Sequence, residues 1–325
     1  MIGALALALR CVVVMLVLTG SGCRRGEPPG DDGRTPVWLD LSPSIGDPPR
    51  DPGDALALLQ AYGSGRLLVR GVSVTFGNVP LVRGHPAAQE LLQRFDSGLL
   101  RAWRGPSTPE ERAAPTEASE LLREALEQEA LTVVATGPAT TTASVLLRQP
   151  SIAARIARVI LVAGTPADPT GHAGITEGAS DLNTIADPGS IQVLLDSAVP
   201  LTLIAPGGVT QIGLDASALD RLDTGRGPVK LITPSARGWL EEVSRRSGTS
   251  GFPIPAMLAI DAAAHPGALR CEAAFATLAT SGPGGPRLIV TAGPPGRVVS
   301  WCHLADAGAA ERIIDDVLRL RPRAR

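Results

Sequence analysis

Short apolar runs alternate with helix-like patterns along most of this chain. The runs have the apolar, β-branched composition of buried strands, and they lie at 37–39, 66–76, 130–135, 158–163 and 201–205. The segments between and after them predict helices at 55–59, 85–95, 117–129, 140–147, 152–157, 191–198, 216–246 with a break near 225–227, 254–264 and 309–320. Because parallel strands need crossover connections, this alternation predicts an α/β fold with a doubly wound, mostly parallel sheet and flanking helices.

The end of the chain departs from this alternation. The stretches 287–291 and 297–301 are separated by Gly and Pro, and we interpret them as two strands that pair with each other. No internal repeat and no clear linker divides residues 36–320. We therefore expect one large domain.

The first strand is followed by a group of aspartates. Asp40 ends the apolar run, Asp47 and Asp51 lie in a Pro/Gly-rich loop, and Asp54 opens the next helix. Ligands of open parallel sheets bind outside the carboxyl ends of the strands, where these side chains are expected. Clustered carboxylates suit a hard cation such as Ca²⁺. The alternative is a solvated acidic loop in which Asp51 or Asp54 caps the helix.

The N-terminus is typical of an export signal. Residues 1–23 contain an apolar run and then small residues before Cys23, as in bacterial lipoproteins, although Gly20 is an unusual residue for such a cleavage site. We expect Cys23 to be lipidated, residues 24–35 to form a tether, and 36–325 to form the folded domain. The expected location is the bacterial cell envelope, lipid-anchored or periplasmic, and ordinary secretion or an uncleaved anchor are the alternatives.

The cysteines bear on the same question. Removal of Cys11 with the signal and lipidation of Cys23 would leave Cys271 and Cys302 in an oxidising compartment. That pair permits one disulfide. Two buried free thiols are the alternative.

Composition excludes some partners. The formal net charge is −2, so no basic footprint predicts a nucleic-acid partner. No pair of histidines has zinc-ligand spacing, and His172 is the one that we place in a binding loop, at 164–180. Only 3% of residues are aromatic, and Trp239 and Phe252 are the candidates for a stacking ring, although both fit a core position better.

Four motifs in register resemble the inosine/uridine-preferring nucleoside hydrolases over about residues 36–320. The motifs are Val37-Trp38-Leu39-Asp40 with Asp54-Ala55-Leu56-Ala57-Leu58-Leu59, Thr75-Phe76-Gly77-Asn78-Val79, Thr136-Gly137-Pro138 with Thr140, and Asp181-Leu182-Asn183 with Asp187-Pro188. The resemblance implies that family's α/β fold, Ca²⁺-dependent cleavage of the N-glycosidic bond of ribonucleosides, and a small-molecule substrate. The sequence leaves homo-oligomerisation open.

The resemblance also implies roles for individual residues. Asp40 and Asp54 match calcium-binding carboxylates, and Thr136 matches a position whose backbone carbonyl binds the ion. Residues that match or stand in for ribose-binding positions are Asn78, Asp181 and Asn183.

Other positions depart from the family pattern. Ser42 stands where an aspartate is usual, and Gly53 occupies the position of the usual catalytic base. Asp51 is the best substitute for that base, with Asp47 as an alternative. On the 254–264 helix, Pro255 and Ala256 replace a proton-donating histidine and a calcium-binding aspartate, and Asp261 is too far along the helix to substitute. His172 or Asp168 could enter from the binding loop, and Val162 replaces a ribose-contacting Met.

Two functions of different classes follow. The first is a hydrolase of ribonucleosides or related N-ribosides with a weakened Ca²⁺ site. The second is a catalytically inactive envelope binding or interaction protein on the same fold. An unrelated periplasmic solute-binding protein is disfavoured because no boundary between two lobes is visible.

Overall fold

The computed structural model describes residues 33–46, 48–95, 100–167, 181–206, 212–282 and 284–320. From Arg34 onwards the chain forms one compact unit. The expected signal, its Cys23, and nearly all of the tether lie outside the described residues. Within the described residues, no helix has both the length and the apolarity that crossing a bilayer requires.

The chain alternates strands and helices for most of its length. The strands are β1 (Thr35–Leu41), β2 (Leu67–Val74), β3 (Trp103–Arg104), β4 (Leu131–Ala135), β5 (Ile156–Val162), β6 (Thr165–Pro166), β7 (Leu201–Ile204), β8 (Gly213–Asp215), β9 (Gly251–Pro253), β10 (Leu269–Ala279), β11 (Arg287–Thr291) and β12 (Arg297–Ala305). The helices are α1 (Gly53–Gly63), α2 (Leu81–Phe95), α3 (Glu117–Gln128), α4 (Thr140–Arg148), α5 (Leu182–Ala186), α6 (Pro188–Asp196), α7 (Ala216–Leu222), α8 (Pro228–Ser247), α9 (Pro255–Ala264) and α10 (Ala309–Arg319). Short 3₁₀ turns lie at Pro109–Ala113 and Pro150–Arg155.

Ten strands form one sheet in the order β3-β2-β1-β4-β5-β7-β12-β10-β11-β6. Pairing is parallel from β3 through β12 and again between β11 and β6, and it is antiparallel only where β10 meets β12 and β11. β8 and β9 make a separate antiparallel pair. The predicted mostly parallel α/β architecture is confirmed.

Two predictions of secondary structure are wrong. The segment 152–157 is not a helix, because a 3₁₀ turn ends at Arg155 and β5 starts at Ile156. β11 and β12 are both strands, yet they do not pair with each other, because β10 lies between them. The sequence did not predict β10. Its residues 270–273 are exposed, so the strand lacks the alternation of buried and exposed positions that identifies a half-buried strand.

The sheet is covered on both faces, and β1 shows how the sequence divides between them. Leu39 and Leu41 pack into the core that includes α1, α9 and α10, whereas Trp38 packs into the core on the side of α3, α4 and α6. Side chains alternate along a strand, so Asp40 shares its face with Trp38. That parity places Asp40 on the α4 side of the sheet.

Cys271 and Cys302 occupy opposite positions of neighbouring strands β10 and β12. They form a disulfide with a Cα–Cα distance of 4.0 Å. Of the two alternatives left by the sequence, the structure contains the disulfide. The covalent link joins β12, inside the parallel part of the sheet, to the antiparallel extension.

Candidate functional site

A cavity opens at the carboxyl edge of the sheet, where ligands bind in folds of this kind. Residues that follow or end five neighbouring strands reach it, together with the N-termini of α1, α5 and α9. Its lining residues are Ser42, Asp51, Gly53, Asp54, Asn78, Thr136, Gly137, Val162, Asp181, Leu182, Asn183, Pro206, Pro255 and Ala256. Six of the predicted site residues therefore share one cavity: Asp51, Asp54, Asn78, Thr136, Asp181 and Asn183.

Asp51 and Asp54 lie on the cavity wall where α1 begins. Asp54 is 9% exposed, and its Oδ2 accepts the backbone N–H of Ser42 at 2.6 Å. Asp51 is half-buried, and its Oδ1 accepts the N–H of Gly53, the first residue of α1, at 2.8 Å. Burial raises the pKa of both carboxyls to about 6, although the hydrogen bonds from these N–H groups act to lower it. The N-cap residue of α1 is Pro52, which makes no side-chain cap bond, and Asp51 instead accepts the N–H of the first helical residue. The two acids are not a solvated loop.

Asp40 occupies a different place from Asp54. It is 0% exposed and is not among the residues that line the cavity. Its Oδ1 accepts the hydroxyls of Ser73, its register partner on β2, at 2.7 Å and of Thr141 on α4 at 2.9 Å. Its Oδ2 is buried without a hydrogen-bond partner, and burial raises the pKa of Asp40 to about 7.

Asn183 uses its amide nitrogen to hold the cavity floor together. The nitrogen donates to the carbonyls of Thr136 at 2.7 Å and Val162 at 2.8 Å. Because both partners are acceptors and an amide nitrogen carries two hydrogens, its donor capacity is used up. Towards a ligand, Asn183 has only its oxygen to offer, which is an acceptor.

Asn78 is committed in the same way. Its Nδ2 donates to the carbonyl of Asp51 at 2.8 Å and to that of Ser42 at 3.3 Å. These bonds tie the loop after β2 to the segment between β1 and α1. They leave Asn78 as an acceptor too.

Asp181 combines a cavity position with a structural task. Its Oδ1 accepts the N–H of Thr184 at 2.7 Å and caps α5, while its Oδ2 accepts the hydroxyl of Thr184 at 2.7 Å and the N–H of Gly164 at 3.0 Å. Burial raises the pKa of this carboxyl above its usual value. Asp181 thus fixes α5, which carries Asn183, against the end of β5.

The opposite wall is apolar. Pro255 and Ala256 bring the first turn of α9 into the cavity, and neither has a polar side chain. Other apolar lining residues are Val162, Leu182 and Pro206. α9 packs close to the acidic wall, since a Cβ added to Gly53 would lie 3.6 Å from that of Ala256.

The described lining residues contain no Lys, Arg or His. Three carboxyl groups, those of Asp51, Asp54 and Asp181, therefore share the cavity without a cationic side chain among them. Backbone N–H groups are what hold these carboxyls in place. The arrangement is an acceptor-rich site that suits cations and ligands with many hydroxyl donors.

A second group of acids lies away from the cavity, at the carboxyl end of α9. One ligand atom from each of Asp261, His265 and Asp316 lies within 4.8 Å of the others. Asp261, however, accepts two hydrogen bonds from the guanidinium of Arg312, at 2.9 and 2.7 Å, and a third from His265. Its charge is already compensated, and Asp261 does not line the cavity.

Several other candidates fall elsewhere. Asp47, Asp168 and His172 lie outside the described residues. Phe252 is buried in the core and Trp239 packs against it, so neither lines the cavity.

The sequence interpretation missed two groups of residues around the site. Ser73 and Thr141 hold Asp40, and only the register of β2 against β1 and the start of α4 bring them there. Leu182 and Pro206 line the cavity but resemble ordinary residues near helix or strand ends. The one usable signal was position, because each residue lies at or near the end of an element that meets the carboxyl edge.

Comparison with known proteins agrees with this geometry. The profile of the inosine-uridine preferring nucleoside hydrolase family matches residues 37–293. A pyrimidine-specific ribonucleoside hydrolase RihA from Klebsiella pneumoniae is 31% identical over 173 residues, covering 44% of this chain and 54% of that protein. One from Salmonella enteritidis is 26% identical over 239 residues, covering 63% and 74%. The chain thus spans about half the length of the Klebsiella relatives that it matches.

Solved structures show the same fold. A purine-preferring ribonucleoside hydrolase from Gardnerella vaginalis superposes with a TM-score of 0.74 at 19% identity, covering 88% of this chain and 99% of that one. The plant nucleoside hydrolase PpNRh1 superposes with a TM-score of 0.72 at 17% identity, covering 88% and 98%. At these identities the similarity establishes the fold.

Proposed function

Because the chain belongs to the inosine-uridine preferring nucleoside hydrolase family, we propose that it hydrolyses the N-glycosidic bond of a ribonucleoside or a related N-riboside. The observation that carries this proposal is the convergence of acceptors on one cavity. The carboxyls of Asp51, Asp54 and Asp181 can accept the hydroxyl hydrogens of a ribose. Asn78 and Asn183 also line the cavity, and because their nitrogens are engaged, their side-chain oxygens are the atoms left to accept further hydrogens.

Asp51 is the proposed catalytic base. It takes the proton of a water molecule whose oxygen attacks C1′ of the ribose, while the C1′–N bond breaks and its electron pair leaves with the nucleobase. A pKa of about 6 makes this carboxyl a carboxylate at neutral pH and a stronger base than an exposed aspartate. Positive charge develops on the ribose ring in such a reaction, and the neighbouring carboxylates of Asp54 and Asp181 favour it.

The residues fit a weak Ca²⁺ site. Asp54 and Thr136 both line the cavity, and Asp40 has a buried Oδ2 without a hydrogen-bond partner. These three would hold the ion, which when bound would orient the ribose hydroxyls and activate water. α9 adds no ligand, because Pro255 and Ala256 carry no oxygen in their side chains. With few charged ligands, we expect weak affinity.

The alternative is a catalytically inactive binding protein of the cell envelope with the same fold. The apolar α9 wall favours it, because that wall offers no group to protonate a departing base. The two functions differ in whether any bond is cleaved.

Ribose release separates them. The full chain, purified in detergent, is incubated with purine and pyrimidine ribonucleosides and nicotinamide riboside, in Ca²⁺ or in chelator. We expect release that is greater in Ca²⁺ and a kcat/KM that falls by about 10²- to 10⁴-fold in Asp51→Asn, with Asp196→Asn, an exposed aspartate on α6, as the matched control. Folded protein that releases no ribose and binds no Ca²⁺ would instead be the inactive binding protein.

We also propose that the chain is held in the bacterial cell envelope through a lipid on Cys23. The support is the pattern of residues 1–23, and the membrane is then its second partner. Labelling with a fatty acid tests this, since the label should disappear in Cys23→Ser. Label that persists in this variant would contradict the proposal.

A further inference from the structure

The described residues of the cavity include no side chain suited to protonating a departing nucleobase at neutral pH. Among the described lining residues there is no His, Lys, Tyr or Cys, and the α9 wall presents Pro255 and Ala256. Pro255 lacks even a backbone N–H. The nitrogens of Asn78 and Asn183 are spent on backbone carbonyls.

The three lining carboxyls are already engaged by the protein. Each of them accepts at least one backbone N–H: Asp51 from Gly53, Asp54 from Ser42, and Asp181 from Gly164 and Thr184. Burial raises the pKa of Asp51 and Asp54 to about 6, which still leaves both mainly ionised and without a proton to give at neutral pH. Asp51 is also needed as the base.

Without a proton donor, the site can cleave efficiently only those ribosides whose leaving group needs no proton. The base of an ordinary, neutral nucleoside departs as an anion unless a proton reaches it, and loss of a general acid costs about 10²- to 10⁴-fold. A base attached through a quaternary, positively charged ring system needs no proton. When its C1′–N bond breaks, the electron pair moves onto the ring and cancels the charge, so a neutral molecule departs. The water oxygen bonds to C1′, and its proton goes to Asp51.

The charge of the cavity favours the same ligands. Three carboxyl groups line it, those of Asp51 and Asp54 are ionised above a pKa of about 6, and no described lining residue carries a positive charge. A cationic riboside gains from this field, whereas a phosphorylated nucleotide is repelled.

We infer that the substrates are N-ribosides with a fixed positive charge on the base, and that the cavity uses this charge in place of a proton donor. The inference rests on the proposed hydrolase function. It concerns the substrate class of the same site.

The test compares 7-methylguanosine, which is cationic, with guanosine, which differs by one methyl group. Ribose release by the full chain is measured at one pH in Ca²⁺ and corrected for non-enzymatic release. We expect kcat/KM to be at least 10²-fold higher for 7-methylguanosine, and nicotinamide riboside to be cleaved as well. As a binding control, 1-methylnicotinamide, a cation, should inhibit at least tenfold better than neutral nicotinamide.

Two results would overturn the inference in different ways. If guanosine and uridine are cleaved within tenfold of 7-methylguanosine, the hydrolase proposal stands and the substrate class is wrong. Repeating that measurement in His172→Ala would then identify or exclude His172 as the missing acid. If neither cationic nor neutral ribosides release ribose, the hydrolase proposal is wrong, and this inference, which rests on it, is wrong too.

Discussion

Two groups of acids differ in how their charges are compensated. We call Asp51 and Asp54, which line the cavity, together with the fully buried Asp40 the cavity acids, and we call Asp261, Asp306 and Asp316, near the carboxyl end of α9, the far acids. Asp40 and Asp261 are both 0% exposed. Asp261 accepts two hydrogen bonds from one guanidinium, whereas the side chains that donate to Asp40 are the neutral hydroxyls of Ser73 and Thr141.

This difference in compensation distinguishes the acids that stabilise the fold from the acids that serve a binding site. Arg312 pairs with Asp261 and so joins α10 to α9, and the carboxylates of Asp261 and Asp306 raise the pKa of Arg312 further above its usual value. Among the described residues, the cavity acids have no cationic partner, and burial raises their pKa values to between about 6 and about 7. A folded protein keeps such carboxyls at a cost in stability, and we interpret that cost as the requirement of a binding site.

The largest expected effect is a loss of stability when Arg312, which compensates the charge of Asp261, is removed. Arg312→Ala leaves Asp261 buried with only His265 beside it, and we expect the free energy of unfolding to fall by about 3–5 kcal/mol. Urea denaturation at pH 7.5 measures it. Arg94→Ala, which breaks an exposed pair with Glu90 within α2, should cost less than about 0.5 kcal/mol. Equal losses in the two variants would remove the distinction between the acid groups.

The next effect is the pH dependence of the cavity acids. Asp40 has a pKa of about 7 in the folded chain against an ordinary value of 3.8, so the native state binds an extra proton between these two pH values. Its contribution to stability is present below about pH 4 and is lost as the pH rises through 7. We expect the wild type to lose about 3 kcal/mol more than Asp40→Asn between pH 4.5 and pH 7.5 in chelator. If the free energies of unfolding of the wild type and of Asp40→Asn depend on pH in the same way, the pKa of Asp40 is not raised.

The smallest effect belongs to an exposed member of the far acids. The side chain of Asp306 is 45% exposed, and its pKa is lowered chiefly by hydrogen bonding to Arg312. We expect Asp306→Asn to lower the free energy of unfolding by no more than about 0.5 kcal/mol. A loss as large as that of Arg312→Ala would mean that Asp306, rather than Asp261, is the acid that Arg312 compensates.

The sequence predicts the parallel part of this fold well because each element carries its own periodicity. The acidic wall was also foreseeable, since Asp51 and Asp54 lie next to the start of a helix that follows a strand. The orientation of Asp40 was not, because it depends on which face of β1 the residue occupies. That parity follows from the packing of Trp38 and Leu39 against different helices.

The antiparallel end of the sheet was harder to predict for another physical reason. The Gly/Pro segment between β11 and β12 is a typical turn signal, but a turn fixes where a strand ends and not which strand lies beside it. The partner of both is β10, whose exposed residues, including Arg270 and Glu272, hide it among loops. Pairing across such a distance in sequence is decided by the assembled sheet.

The sheet ends on both sides in strands of two residues, β3 (Trp103–Arg104) and β6 (Thr165–Pro166). Each exposes few unpaired backbone groups, and Pro166 has no N–H to donate. A second molecule therefore finds only a short template on these two end strands, although residues 67–72 of β2 lie beyond the part that β3 covers. If copies of this chain are concentrated on a membrane surface, we expect any association to run through their helices, and edge-to-edge stacking into fibrils to be suppressed.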